Sequence, residues 1–373
     1  HRRRAGQQPE VARRAGDPQL GEVRGIDVLE IAVVRRVAEL LGHLRNIGVE
    51  ISAFLCRHDS YDDAVFRRLR NSCRECYRLK GAREADDPLC SRVLKDALSQ
   101  SHSDGKGLVI LDLGGVFCSS ASELSANQWP RLLGIVEDTT SGHNLYSSLG
   151  RILTVPVLSV ARSPLKEIEA IYVGSSVVTS IEFCLRPVGL PIRGQRVLVV
   201  GYGMIGEALC TALRSHGYLV AVSDSSHTKL ARAVTHGFET GDKPALLAAA
   251  DIVISATGRT GLSGQDFAAC KAGAFLASAG ADLTEIALGE LSAEFTRTTE
   301  TSEHLSTFHK PNGRSLTLIN KGNAVNFITG SVPNRVIDLV FTEILTAVVA
   351  LIELKATHGV SELTNQLRDA AAQ

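Results

Sequence analysis

The stretch VLVVGYGMIGEAL, residues 197 to 209, sets Gly201, Gly203 and Gly206 directly after a run of β-forming residues and before a helix-like pattern. A G-x-G-x-x-G turn between strand and helix lets the backbone approach a diphosphate. The free N–H groups and positive dipole end of the helix then face the phosphates. Met204 and Ile205 fall inside the same loop. The next strand-like run, YLVAVSD (218 to 224), ends in Asp224, where a carboxylate accepts hydrogen bonds from the adenosine ribose hydroxyls. It also repels a 2′-phosphate, so the expected cofactor is NAD rather than NADP.

Such a loop needs a sheet to carry it. RVLVV (196 to 200), DIVISATG (251 to 258), GAFLASAG (273 to 280) and SLTLIN (315 to 320) read as strands, and 204 to 216 as a helix. In the first half, VEISAFLC (49 to 56) and GLVILDLGG (107 to 115) read as strands, with helical periodicity over 61 to 79. This βαβ alternation implies an α/β fold of two Rossmann-like domains with doubly wound parallel sheets. The expected divisions are a basic arm over 1–25, a first α/β domain over 26–180, the NAD-binding domain over 181–332, and C-terminal helices over 333–373 returning across the join.

The 373 residues are 44% hydrophobic and 21% charged, with forty basic residues against forty acidic ones. This is the profile of a soluble globular protein, and no bulk charge points to nucleic acid or a membrane surface. The apolar run at 336 to 354 contains Asp338, Glu343 and Glu353, which suit a buried or subunit-packing helix better than a membrane span. Eight cysteines show no framework spacing, and no apolar leader follows the basic start. Reduced thiols and a cytoplasmic location are expected. Cys73 and Cys76 read as neighbours on one helical turn, and no metal site is expected.

Upstream of the glycine loop, LLGIVEDTTSGHNLYSSLGRILTVPVLSVARSPLK (132 to 166) resembles the S-adenosylhomocysteine hydrolase family. The family pattern there is G-x-x-E-E-T-T-T-G-x-x-x-L-Y followed by P-x-x-x-V-N-D-S-x-x-K. ILDLGG (110 to 115) resembles its I-L-D-D-G-G, and HKPNGRSLTLINKGNAVNF (309 to 327) its N-G-(R/K)-x-I-x-L-L-A-E-G-R-x-V-N-L. The resemblance implies that the first domain binds substrate and that NAD is recycled within each turnover. The family oxidises a nucleoside 3′-hydroxyl, loses the C4′ proton, expels the 5′ substituent, adds water and reduces the ketone again.

The resemblance assigns Thr139, Thr140, Ser141 and Asn326 to the nicotinamide side of the cofactor, and Thr257 and Gly258 to the turn beside its ribose. Lys166 matches the lysine that contacts the 3′-hydroxyl. To act as a base it must be partly neutral. Asp138 stands for the family's active-site Glu, one methylene shorter.

The departures gather on the substrate side. Leu113 replaces the second Asp of D-D-G-G, Ala161 the Asn before D-S, Ala170 the Asp four residues after the lysine, Ile171 the next Asn and Ser175 the Cys of G-C. Gly280 stands for the His of G-H-F-D, and Val332 for the His of H-P. The family's C-terminal Lys/Tyr tail has no counterpart in LTNQLRDAAAQ, which implies a less capped cofactor. These changes imply a roomier, more apolar pocket. Three readings stay open: an NAD-dependent lyase, dehydratase or hydrolase acting on a changed nucleoside-like substrate; an S-adenosylhomocysteine hydrolase; and a non-catalytic NAD-binding regulatory paralogue. A homodimer or homotetramer is expected.

Overall fold

The computed structural model describes residues 26–373 except 33, 47, 57–62, 72, 80–87, 124–129, 191–192, 281–284 and 354–356. The basic arm expected over 1–25 lies outside the described residues. In the first half, strands β1 (Ile26–Ala32), β2 (Glu50–Cys56), β3 (Glu75–Arg78), β4 (Gly107–Asp112), β5 (Leu132–Glu137) and β6 (Pro156–Ser159) alternate with five helices. These are α1 (Val34–Asn46), α2 (Asp63–Arg70), α3 (Pro88–Asp104), α4 (Cys118–Ser122) and α5 (Thr140–Leu149). The long helix α6 (Pro164–Leu185) leads into β7 (Arg196–Val200), α7 (Met204–Ser215), β8 (Leu219–Ser223), α8 (His227–Thr235), β9 (Glu239–Thr240), α9 (Lys243–Ala249), β10 (Ile252–Ser255), α10 (Gly264–Ala269), β11 (Phe275–Ser278) and α11 (Leu288–Glu294). Strands β12 (Arg297–Ser302), β13 (Leu305–His309) and β14 (Ser315–Ile319) follow, then α12 (Asn334–Ile352), β15 (Gly359–Glu362) and α13 (Asn365–Ala372).

Two sheets result. The first has the order β15-β6-β5-β4-β1-β2-β3 with parallel pairings throughout. The second runs β12-β13-β14-β11-β10-β7-β8-β9, parallel from β14 to β9 and antiparallel from β12 to β14. The central strands are covered on both faces, which is why β4 and β7 read as continuous apolar runs.

Two expectations need correction. The segment 61–79 is not one helical unit. Helix α2 ends at Arg70, and Glu75–Arg78 pairs with β2 as an edge strand, so Cys76 is a strand residue and shares no helical turn with Cys73. The C-terminal segment is not all helix, because β15 pairs in parallel with β6 and extends the first sheet. The sequence also concealed the β13–β14 hairpin, whose turn rests on Gly313 at φ 83°.

Helix α6 is long and apolar enough to cross a membrane by composition, yet much of it is buried against its neighbours. At Gly174 its backbone meets α7: a Cβ there would stand 2.7 Å from the Leu209 nitrogen and 2.8 Å from the Ala208 carbonyl carbon. Gly174→Ala therefore has to push two backbones apart. It is expected to cost about 1–3 kcal/mol in chemical denaturation, and unchanged stability would contradict the close approach.

Candidate active site

Lys166 lies in the first turn of α6, which begins because Ser163 caps it and Pro164 follows. The Ser163 hydroxyl accepts from the Leu165 N–H at 3.1 Å. From there the Lys166 ammonium reaches Asp138, just after β5, at 3.2 Å, and also pairs with Glu169 one turn along its own helix. Both ends of the Lys166–Asp138 pair are only 15% exposed. Burial opposes the lysine's charge, but the carboxylates of Asp138 and Glu169 outweigh it and hold the ammonium above its ordinary pKa. Asp138 moves the other way in function: burial, reinforced by Glu169 and against the pull of Lys166, raises its carboxyl to about 6. The lysine expected as a partly neutral base is thus held charged, and the group that titrates near neutrality is the aspartate.

Two groups missed by sequence reading complete this cluster. Glu169 was readable, since three residues along a helix from Lys166 is contact spacing. Glu343, buried in the apolar helix α12, pairs with Arg368 of α13 at 3.4 Å, and Arg368 also holds Glu362 at the end of β15 at 2.6 Å. Burial pushes the Glu343 carboxyl up, while Ser163, Arg368 and Lys166 pull it down. The C-terminal segment therefore supplies charge to the site from below.

Beneath Thr139, Thr140 and Ser141 lie two more fully buried acids, Asp112 at the end of β4 and Glu137 at the end of β5, opposite each other in the strand register. Glu137 accepts from the Gly114 and Gly115 N–H groups at 3.1 Å and from the Thr139 N–H and hydroxyl at 2.7 Å. Thr139 in turn caps α5, accepting from the Gly142 N–H at 3.0 Å, and lies 3.1 Å from the Ser141 hydroxyl. The turn is thus fixed from underneath. Burial, with Asp112 alongside, raises the Glu137 carboxyl well above the usual range. Asp112 accepts from the Val116 and Phe117 N–H groups and from the buried Tyr146 phenol at 2.6 Å. Tyr146→Phe removes that donor and is expected to cost about 1–3 kcal/mol, read by urea denaturation; an unchanged midpoint would show the phenol to be dispensable.

The second crevice fits a dinucleotide. Gly201 takes φ 100°, and a Cβ on it would lie 2.5 Å from the Ala256 carbonyl oxygen. A Cβ on Gly206 would lie 2.0 Å from the Gly201 oxygen, so α7 packs directly on the loop. Gly203 caps α7 without a side chain, leaving the N–H groups of Met204 and Ile205 in an uncapped first turn. Asp224 follows β8, accepting from the Tyr202 N–H at 2.7 Å and the Ser226 N–H at 2.8 Å. Thr257 and Gly258 are gripped by the buried Glu285, which accepts from the Thr257 N–H at 2.9 Å, the Thr257 hydroxyl at 2.8 Å and the Gly258 N–H. Asn326 is buried, its amide donating to Ser331 at 2.8 Å and its carbonyl accepting from Ser176. These residues would hold NAD along the C-terminal ends of β7, β8 and β10.

Residues 174–332 match the family described as S-adenosyl-L-homocysteine hydrolase, NAD binding domain. The adenosylhomocysteinase of Thermotoga maritima is 29% identical over 65% of this chain and 61% of its own length, and that of Sulfolobus acidocaldarius is 26% identical over 87% and 76%. Residues 174–332 of this chain are therefore similar to the NAD-binding domain of that family. The cofactor of this chain is NAD. The chain spans 61% of the length of the Thermotoga relative. Among solved structures, a phosphoglycerate oxidoreductase from Vibrio cholerae aligns at a TM-score of 0.50 and 14% identity, covering 89% of this chain and 99% of that one, a likeness of fold alone.

The positions at which this chain was expected to open an apolar pocket do not share one environment. Ala161 and Ala170 are each 1% exposed and face no open surface. Leu113 packs partly into the core of the first sheet, and Val332 packs against that of the second. Ser175 is exposed on α6. Gly280 is not a vacated histidine site: a Cβ there would fall 2.2 Å from the Glu285 carboxylate, so the buried acid requires glycine. His143 is buried and bonded to Ser159 at 2.9 Å, and burial lowers its pKa, leaving it neutral near pH 7. His309 lies in β13, apart from the elements that carry Lys166 and Asp138.

Proposed function

We propose that this chain is an NAD-dependent enzyme that transiently oxidises the 3′-hydroxyl of a nucleoside-like substrate and expels a leaving group from the neighbouring carbon framework, as a lyase or hydrolase with a changed substrate. The observation that carries this reading is the buried Lys166 ammonium held between Asp138 and Glu169, next in the chain to the Thr139–Ser141 turn. NAD, when bound, supplies a reversible two-electron sink. The residues do the proton work. Asp138, ionised at pH 7 but titrating near 6, is matched to accept the hydroxyl proton. Lys166 stays charged and stabilises the negative charge that develops on the oxygen, while Glu169 fixes its direction.

The changed substrate is argued from the sequence, in which Ala161 and Ala170 stand where the family pattern has an Asn and an Asp. S-adenosylhomocysteine itself is the second reading, favoured by the name of the Thermotoga and Sulfolobus relatives. The deciding experiment adds nucleosides one at a time, S-adenosylhomocysteine and adenosine included, while absorbance at 340 nm is followed and products are weighed. A rise with loss of water or another 5′ group supports the first reading, and homocysteine release the second. A flat trace across the panel removes both.

The pH profile gives a further check. A base that titrates near 6 is lost as pH falls, so turnover should drop on the acid side through about 6. Asp138→Asn should abolish that limb along with most of the rate; an unchanged acid limb in this variant would assign the proton to another group.

A further inference from the structure

Asp224 is the residue from which the sequence predicts exclusion of a 2′-phosphate, but its surroundings weaken that exclusion. Both of its oxygens accept backbone N–H groups, from Tyr202 and Ser226. The Lys229 ammonium stands 3.6 Å from the same carboxylate. It also reaches the glycine loop, lying 3.9 Å from the space that a Cβ on Gly203 would fill. Arg259, beyond the end of β10, donates to the Ser225 hydroxyl at 2.9 Å, next in the chain to Asp224. Two exposed cations thus stand beside one acid, Lys229 on its carboxylate and Arg259 on the neighbouring Ser225. The nearby hydroxyls of Ser225, Ser226 and Thr228 add donors, with Ser226 and Thr228 2.8 Å apart. Glu207, the acid in the first turn of α7, is engaged by Arg232 at 3.0 Å.

We propose that the adenosine end of the crevice admits a 2′-phosphate, so that this chain binds NADP as well as NAD, with Arg259 and Lys229 as the phosphate-binding cations. The inference rests on the dinucleotide crevice alone and is independent of the nucleoside reaction. An arginine and a lysine suit this task because a guanidinium gives two parallel donors to phosphate oxygens and an ammonium gives a mobile point charge. The 2′-phosphate would take the place of the Ser225 hydroxyl as the partner of Arg259.

The test is calorimetric titration of the full chain, freed of copurified dinucleotide, with NAD, NADP, ADP-ribose and 2′-phospho-ADP-ribose, with no substrate present. The dissociation constant for NADP is expected within about thirtyfold of that for NAD. Arg259→Ala and Lys229→Ala should each weaken NADP and 2′-phospho-ADP-ribose about tenfold, as loss of a charge-assisted bond does, and weaken NAD and ADP-ribose less than about threefold. Arg259→Lys should restore part of the loss. A gap between NADP and NAD wider than thirtyfold overturns the proposal. So does equal weakening of both dinucleotides, which would place the cations on the diphosphate. Binding of neither would remove the crevice as a dinucleotide site while leaving the charged cluster at Lys166 to be judged by the nucleoside panel.

Discussion

Lys166→Ala is expected to lower turnover about a thousandfold, within the range for removing a positioned proton-transfer or charge-stabilising group, on whichever nucleoside the panel identifies. The lysine carries two tasks. It opposes the charge forming on the substrate oxygen, and it is the only cation recorded in an ion pair with either Asp138 or Glu169 among the described residues. Without it the two acids face each other in a partly buried site, and breaking such a pair typically costs about 3–5 kcal/mol. The folded protein relieves this by protonating one acid, so the stability lost should be smaller at pH 5 than at pH 8. Lys166→Arg keeps the charge and should recover stability more fully than turnover, because the guanidinium is larger and differently shaped. Dinucleotide affinity should change little in either variant. Turnover within tenfold of the parent in Lys166→Ala would end the assignment.

Gly206→Ala should weaken NAD at least about a hundredfold, some 2.7 kcal/mol, and lower the melting temperature as well. One methyl group is enough because of what it meets. A Cβ at this position falls 2.0 Å from the Gly201 carbonyl oxygen, and backbone cannot rotate aside as a long side chain can. Either the loop opens or α7 lifts from β7, and both misplace the N–H groups that face the diphosphate. Gly203→Ala is the control: its Cβ meets nothing nearer than the end of Lys229 at 3.9 Å, so the fold should tolerate it while a bound diphosphate would not. Calorimetry with NAD and a thermal melt of both variants separate the two effects, and normal NAD affinity in Gly206→Ala would refute the account.

The parts of the molecule set by local pattern were readable from the sequence. The strand ending at Gly201, the three glycines and Asp224 sit within one continuous segment, so periodicity and spacing located them and the structure places them together. What stayed hidden depends on long-range contact. Strand β15 carries the short sequence GVSE, with no apolar run to mark it, and becomes a strand only because β6 offers an edge. Glu343 looked like an argument against a membrane helix, and only the return of α13 with Arg368 shows it to be part of the charged site. The charge state of Lys166 stayed hidden for a related reason. Motif matching supplied Asp138 and the lysine but not the helical neighbour Glu169, and two acids rather than one decide that the lysine stays protonated. Gly280 was read as a lost side chain when Glu285, five positions on, occupies that space.

The pairing of β15 with β6 also bears on the order in which the protein can be made. Gly359 sits opposite Pro156, with the whole second sheet intervening in the chain. As synthesis proceeds, the NAD-binding unit can close on itself while β6 still waits with an open edge and the apolar face of α12 not yet available. Loop-closure entropy and the lateness of these contacts make completion of the first sheet the slow step. The cofactor crevice is therefore expected to mature on the ribosome before the first sheet is complete, and nascent chains halted before residue 359 should already retain NAD on a matrix yet lack a protected first sheet in pulse proteolysis.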